Sequence, residues 1–176
     1  MLRIHPFRGT TRMPQDLTIL TCAIAILFGG IVSGIFFAFS DFIMKSLATI
    51  PPASAVDAMT EINRKVYRSI FIVGIWSVAL LSAVLIYAGA LHTHSPASTW
   101  LIAGGAIYIV GVIAVSFLFN IPMNHKLESA ASSSTQSPNY WNSYRTNWTR
   151  WNHVRSGSAA TSTLCFLVAI YALYAY

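Results

Sequence analysis

The side chains best suited to chemistry in this sequence are amides and a guanidinium at the edges of long apolar runs. Asn120 and Asn124 bracket Pro122 at the foot of one run, and Asn152 and Arg155 precede another. Hydrocarbon contains no water to satisfy such groups, so they need protein partners or a wet cavity. Fixed N–H donors in a water-poor cavity can stabilise negative charge that develops on a bound oxygen atom.

Neighbouring residues could supply a base and a slot for a flat molecule. Asp41 or His125 could accept a proton, and two tryptophans could stack on an aromatic ring. Asp41 also precedes Lys45 by four residues, so a surface ion pair is an alternative interpretation. The candidate catalytic residues are therefore Asp41, Asn120, Asn124, His125 and Arg155, and the candidate substrate-binding residues are Asn63, Trp148, Trp151 and Asn152.

Residue spacing gives little support to a metal site. His125 and His153 with a carboxylate could bind a metal, but they match no ligand spacing. No glycine-rich phosphate cradle or serine-nucleophile motif is present, so nucleotide and acyl-transfer chemistry are disfavoured. Cys22 and Cys165 lie within apolar runs and are expected to be free thiols. The sequence favours cofactor-free chemistry, with a bound metal as the alternative, and assigns no metal ligand.

The composition is typical of a membrane protein. Of the 176 residues, 55% are hydrophobic and 9% are charged, whereas soluble domains carry about 25% charged residues. The net charge of +6 does not indicate nucleic-acid binding, because no basic patch is interleaved with exposed aromatic residues. Four apolar runs have the length of spanning helices, about 20 residues. The predicted partners are the lipid bilayer and a hydrophobic aromatic small molecule, and the oligomeric state stays open.

These runs predict an all-α fold, a four-helix transmembrane bundle forming one domain over residues 17–176 after a basic lead over 1–16. Residues 54–66 are predicted to form an amphipathic helix, because Val56, Met59 and Asn63 fall on one helical stripe. A helical extension is expected before the fourth span. The predicted elements are TM1 17–47, amphipathic helix 54–66, TM2 69–91, TM3 99–119, pre-TM4 helix 138–155 and TM4 156–176.

Four spans place the first and third connecting segments on the same side of the membrane, together with the candidate amides and Arg155. That side carries eight Lys and Arg residues, against three in the N-terminal lead. The positive-inside rule therefore predicts that this end is cytoplasmic and that both termini lie outside.

Small residues in TM1 predict close helix packing. Gly30 and Gly34 form one small-xxx-small pair, and Gly29 and Ser33 form another. Such pairs let two backbones approach closely where lipid removes the hydrophobic drive. We expect both pairs to pack against helices of the same chain rather than against a second copy.

A set of short motifs runs along most of the chain, namely Gly34, Phe37-Ala38-Phe39-Ser40, Met44, Met59, Ile62-Asn63-Arg64, Phe71, Asn120-Ile121-Pro122-Met123-Asn124-His125-Lys126-Leu127, Trp148, Trp151-Asn152 and Arg155. Taken together, these motifs resemble the anthrone oxygenase-like family of membrane proteins. One departure is Lys45, because relatives often have proline after the methionine that corresponds to Met44. The resemblance implies the four-helix membrane fold and, from characterised members, oxidation of polycyclic anthrones to anthraquinones.

The function that the resemblance implies is an oxygenase for a flat, membrane-soluble phenolic or anthrone-type molecule. A base would convert such a molecule to an enolate that reacts with dioxygen without flavin or metal. A non-catalytic membrane protein is the main alternative, in which the Asn, Arg and Trp side chains form a structural network. A small-solute transporter is a weaker alternative, since no inverted repeat is evident. A ligand-sized cavity among these residues would favour an enzyme or a ligand-binding protein, whereas complete pairing with no void would favour the structural network.

Overall fold

The computed structural model describes residues 14–91, 95–131 and 137–175, so most of the N-terminal lead lies outside the described residues. Within these ranges every regular element is a helix, which confirms the predicted all-α fold. We number the helices α1 (Gln15–Leu47), α2 (Pro52–Val66), α3 (Ile70–Leu91), α4 (from Pro96–Tyr108 through Ile121–Ala131) and α5 (Ser137–Ala175).

Four of these helices are long and apolar enough to cross a membrane, and the chain is an integral membrane protein with several spans. The predicted extension before TM4 and TM4 itself form one uninterrupted helix, α5, of 39 residues. Which side of the membrane each end faces stays a prediction. The candidate spans are Gln15–Leu47, Ile70–Leu91, Pro96–Ala130 and Tyr140–Ala175.

Helices α1 and α4 widen into π-helical turns near the end that carries the candidate residues. The turns are Phe39–Ile43 in α1 and Ile109–Ala114 and Ser116–Asn120 in α4. A π-helical turn takes an extra residue into one turn, and such turns are frequent at functional sites. Phe39 and Ser116 both lie in these turns and border the cavity described below.

Helix α2 covers this end of the bundle. Its buried stripe includes Val56 and Met59, which pack with Leu127 of α4 and with Trp141 and Tyr144 of α5. The charged residues on its opposite face are exposed. The amphipathic helix therefore lies over the bundle with its apolar stripe inward, as its sequence pattern predicts.

The small residues of α1 have two different roles. A Cβ atom on Gly29 would lie 2.9 Å from Oγ1 of Thr163, so this glycine permits close contact with α5. Ser33 donates a 3.0 Å hydrogen bond to the Ser156 carbonyl of α5. A Cβ atom on Gly30 or Gly34 would meet nothing within 4 Å. The predicted packing role is wrong for Gly30 and Gly34, because they face an open groove rather than a helix.

Candidate ligand-binding site

A cavity of about 310 Å³ lies at the polar end of the bundle, with walls from all five helices. Its volume is within the range of small-molecule sites. Most of the wall is aromatic or aliphatic, so a flat apolar molecule would fit it better than a polar solute. The lining residues are Phe36, Phe39, Met59, Ile62, Asn63, Val66, Tyr67, Phe71, Ile72, Ile75, Trp76, Ile113, Ser116, Phe117, Ile121, Asn124, Trp148 and Arg155.

Arg155 is the only cationic residue among the described residues that line this cavity, and it is 8% exposed. Its Nη2 donates a 2.6 Å hydrogen bond to Oδ1 of Asn152, and its Nη1 donates one of 3.3 Å to Oγ of Ser116. Its Nε has no hydrogen-bond partner, and none of the ion pairs within residues 14–91, 95–131 and 137–175 includes it. The guanidinium is therefore buried without a carboxylate to balance its charge.

Aromatic rings compensate part of this charge. The guanidinium carbon lies 4.3 Å from the ring centre of Phe36 and 5.2 Å from that of Trp148. Cation–π contacts of this kind contribute on the order of 1–2 kcal/mol when they are desolvated. An unpaired buried charge costs several kcal/mol. The rings therefore reduce the cost without replacing a counter-ion.

Asn152 fixes the position of Arg155. Its Nδ2 donates a 2.6 Å hydrogen bond to the Phe36 carbonyl and one of 2.7 Å to Oγ of Ser40. Its Oδ1 accepts the hydrogen bond from Arg155. Asn152 is fully buried but does not line the cavity. It ties α5 to α1 and holds the guanidinium toward the cavity.

A further N–H donor on the cavity wall lacks an acceptor. Nε1 of Trp148 is buried without a hydrogen-bond partner in the described part of the chain, so with Nε of Arg155 it makes two unsatisfied donors from residues that line one cavity. The side-chain amide of Asn63, which also lines the cavity, interacts with the hydroxyl of Tyr144. An unpaired buried donor costs about 1–3 kcal/mol. A ligand with oxygen acceptors would recover part of that cost.

Asn124 also lines the cavity, but its amide oxygen already has a partner. The hydroxyl of Tyr144 donates a 2.9 Å hydrogen bond to Oδ1 of Asn124. Tyr144 is fully buried beneath α2. This bond fixes the amide of Asn124 so that its nitrogen can act as the donor toward a ligand.

Four other candidate residues lie away from the cavity wall. Asn120 is fully buried and donates a 3.2 Å hydrogen bond to the Trp148 carbonyl, linking α4 to α5. Asp41 is exposed and lies 3.4 Å from Nζ of Lys45. His125 is exposed and lies outside the cavity lining. The fourth is Trp151, whose ring stacks on Phe119 with centroids 3.5 Å apart and an interplanar angle of 4°.

A smaller polar pocket of about 190 Å³ adjoins the cavity, and we call it the vestibule. It shares Asn63, Tyr67 and Asn124 with the cavity, so these three residues separate the two spaces. His125 lies here rather than in the cavity. The vestibule is lined by Thr60, Asn63, Arg64, Tyr67, Asn124, His125 and Glu128.

Tyr67 is half-exposed at the boundary between the two spaces. Burial and then the charge of Glu128 raise the pKa of its phenol above the ordinary value, while Arg155 acts in the opposite direction. The phenol therefore keeps its proton near neutral pH. It can donate a hydrogen bond to a ligand at the mouth of the cavity.

The opposite side of the cavity approaches the lipid-facing surface between α3 and α4. Trp76 and Phe117 line it there, and their side chains are about half exposed. Their ring centroids are 6.1 Å apart. This aromatic pair forms an edge through which a membrane-soluble molecule could reach the cavity from the bilayer.

Sequence reasoning did not select Ser116, Tyr67 or Phe36 as site residues. The sequence offered a clue to two of them. Ser116 lies four residues before Asn120, and Tyr67 lies four residues after Asn63, so helical spacing places each of them near a residue that was selected. Phe36 gave no such clue. Its role comes from contacts with Arg155 and Asn152 that only the folded chain reveals.

The described residues contain no group of three or more His, Cys, Asp or Glu side chains placed to hold a metal ion. His125 and His153 line different pockets. Cys22 and Cys165 are free and buried. The residues that surround the cavity thus do not form a recognisable donor set for a metal.

Fold and site together define a multi-span helical membrane protein with an apolar, ligand-sized cavity and an uncompensated arginine. The family model described as anthrone oxygenase matches residues 64–165, which is more than half of the chain. The chain belongs to the anthrone oxygenase family. The matched segment includes Asn124, Trp148 and Arg155 and begins one residue after Asn63. No curated protein and no solved structure matches the chain.

Proposed function

We propose that this protein oxidises a flat, apolar aromatic ketone with a weakly acidic methylene group, of the anthrone type, in the cavity beside Arg155. The observation that carries the proposal is a buried guanidinium that has no carboxylate partner among the described residues and lies in an aromatic-lined cavity of about 310 Å³. A ligand that becomes an anion would supply the missing charge. A neutral hydrocarbon of the same shape would leave it uncompensated.

Arg155 has its largest effect when the substrate loses a proton. An anthrone has a methylene group between two rings and opposite its carbonyl, and loss of a C–H proton moves the electron pair onto that carbonyl oxygen. A nearby positive charge favours the ionised form. Arg155, the unsatisfied N–H group of Trp148 and the amide of Asn63 would stabilise the oxygen, and their place in the cavity lining supports this role.

The enolate then reduces dioxygen. Carbon and oxygen form a bond at the former methylene, giving a peroxide, and loss of water from the peroxide leaves a second carbonyl. One anthrone and one dioxygen give one anthraquinone and one water. The substrate itself supplies the electrons that reduce dioxygen, so the proposed reaction is cofactor-free.

The proton that leaves the methylene group passes to water rather than to a protein base in the cavity. Among the described lining residues there is no carboxylate and no imidazole. The vestibule beyond Asn63 and Asn124 contains His125 and Glu128, which could receive the proton through water. Asp41 has no part in this route, because it is exposed and paired with Lys45.

The substrate is proposed to enter from the bilayer past Trp76 and Phe117. Anthrones partition into lipid, and the exposed aromatic pair borders the cavity on its lipid-facing side. The polar vestibule would admit water and exclude the apolar substrate. Oxygen, which is also apolar, would follow the lipid route.

The test measures oxygen uptake and quinone absorbance at neutral pH with purified protein and a panel of anthrones. Wild type should consume one dioxygen for each quinone formed, faster than the uncatalysed reaction. Dihydroanthracene, which has the ring shape without the oxygen, should give no reaction. Arg155→Gln should lower the rate by about 100- to 1,000-fold, the usual loss for one oxyanion donor.

The matched control is Arg68→Gln, which removes an exposed charge at the same end of the bundle. Its rate should stay within about twofold of wild type. Equal rates in wild type and Arg155→Gln would overturn the proposed site. Tight anthrone binding with no oxygen uptake would support a binding protein in place of an oxygenase.

A further inference from the structure

A second, independent feature lies on the outer surface where α1 and α5 meet. It begins as a basic pocket of about 430 Å³ near the end of α1. Three cationic side chains, one imidazole and several hydroxyl groups surround it. The lining residues are Ser40, Met44, Lys45, Ala48, Arg145, Thr146, Thr149, Arg150 and His153.

The charge of the basic pocket is only partly balanced. Lys45 lies 3.4 Å from Asp41. Arg145 and Arg150 belong to none of the ion pairs found within the described ranges. The pocket therefore carries net positive charge and is matched to an anion.

A wide apolar groove of about 680 Å³ continues from this pocket along α1 and α5, and His153 borders both. A Cβ atom on Gly30, Gly34 or Gly157 would meet nothing within 4 Å among the described residues, so none of the five helices packs closely on these glycines. The groove runs toward the middle of the spanning segments. It is lined by Gly30, Ser33, Gly34, Phe37, His153, Ser156, Gly157, Ala160, Thr163 and Leu164.

We propose that the basic pocket and the apolar groove together bind one anionic phospholipid, with its phosphate beside Arg145 and Arg150 and an acyl chain along Gly34 and Gly157. The pocket and the groove follow the layers of a lipid bilayer. The charged pocket lies near the helix end, at the level expected for headgroups, and the apolar groove lies deeper in the span, at the level expected for acyl chains. Basic pockets between membrane helices are suited to acidic headgroups.

A second copy of this chain is a poorer occupant of the groove. Two copies related by a two-fold axis would present the same face to each other. The basic clusters of both copies would then lie at one interface, and like charges brought together oppose association. A lipid supplies the opposite charge and fills the groove at the same time.

The lipid site also adjoins the ligand cavity. Ser40 lines the basic pocket, and its Oγ accepts the 2.7 Å hydrogen bond from Asn152. Asn152 in turn accepts the hydrogen bond from Arg155. A headgroup in the pocket would therefore lie against the residues that position the guanidinium.

The test is native mass spectrometry and thermal unfolding of detergent-purified full chain with added phosphatidylglycerol. Wild type should retain one phosphatidylglycerol per chain and unfold at a higher temperature with it, whereas phosphatidylcholine should do neither. Arg145→Gln with Arg150→Gln should weaken phosphatidylglycerol binding about 30-fold, from the usual contribution of each cation near anionic lipid. The control pair Arg68→Gln with Lys126→Gln should change it less than about twofold.

A second variant tests the groove separately from the charges. Gly34→Leu should leave the unfolding temperature without lipid unchanged, because the position faces open space, and should weaken phosphatidylglycerol binding about tenfold. Glycerol phosphate, which lacks the tails, should not compete at equal concentration. Equal binding of phosphatidylcholine, equal losses in the control pair, competition by glycerol phosphate, or dimers in place of lipid adducts would each overturn the proposal.

Discussion

The two ends of the bundle are built differently, although the same spanning helices form both. At the closed end, where α3 and α4 meet around Gly105, a Cβ atom on that glycine would lie 2.6 Å from the Ser82 carbonyl. Ser98 and Ser162 there donate 2.7 Å hydrogen bonds to backbone carbonyls. Helices in this region are held by close backbone contact and local hydroxyl bonds.

At the open end, around Arg155, the helices separate to leave the ligand cavity. The polar groups there are larger, and among the described residues Nε of Arg155 and Nε1 of Trp148 lack acceptors. Unpaired buried polar groups reduce the stability of a membrane bundle. Oγ of Ser82 is such a group at the closed end, but it is a single neutral hydroxyl, whereas the open end contains a buried charge. The comparison indicates that the closed end contributes more of the stability, as expected if the open end binds the proposed ligand.

The strongest test of this comparison is a substitution at the closed end. Gly105→Val should destabilise the fold by about 3 kcal/mol, because the added atoms meet both the Ser82 carbonyl and the side chain of Ile86. Thermal unfolding in detergent measures it. The matched control, Gly34→Val, faces open space and should cost less than about 0.5 kcal/mol. Equal costs would remove the distinction between packed and open regions.

The second test supplies the missing counter-ion. Ser116→Asp places a carboxylate where Oγ of Ser116 now lies, 3.3 Å from Nη1 of Arg155. The ligand-free protein should become more stable, while affinity for an anionic aromatic ligand should fall about tenfold or more. Calorimetric titration and unfolding temperature report the two effects. Ser116→Asn, of similar size and no charge, should produce neither, and unchanged affinity in the Asp variant would contradict the anion site.

The smallest effect is expected at the surface of the open end. Asp41→Asn removes an exposed ion pair with Lys45, which contributes about 0.5 kcal/mol or less. Anthrone oxidation should proceed within about twofold of the wild-type rate, measured by oxygen uptake. Loss of oxidation in this variant would restore Asp41 as the base and would rule out proton transfer to water in the vestibule.

Much of the fold could be predicted because hydropathy and length constrain membrane helices strongly. The inward stripe of α2 was also readable, since Val56 and Met59 repeat at helical spacing and are fully buried. The π-helical turns were not, because a shift of one hydrogen bond along a helix leaves little trace in apolar sequence. They alter which side chains of α1 and α4 reach the cavity.

Of the candidate residues chosen from the sequence, Asn63, Asn124, Trp148 and Arg155 line the cavity, but the sequence did not give the contacts that they make. Arg155 and Asn152 are three residues apart, so both were expected on one helical face. Arg155 lines the cavity, whereas Asn152 lies outside the lining and accepts a hydrogen bond from the guanidinium. Trp151 looked as available for stacking as Trp148. The ring of Phe119 covers one face of Trp151. These two residues belong to different helices, so their spacing in the sequence could not indicate the contact.

Because α5 is unbroken, the distance along its axis from Arg155 to the C-terminal end of the helix is fixed. Twenty residues separate Arg155 from Ala175, which corresponds to about 30 Å at the helical rise. This equals the thickness of a typical hydrocarbon core. Reconstitution into lipids of longer chain length would therefore draw the guanidinium below the headgroups, and shorter chains would leave it among them.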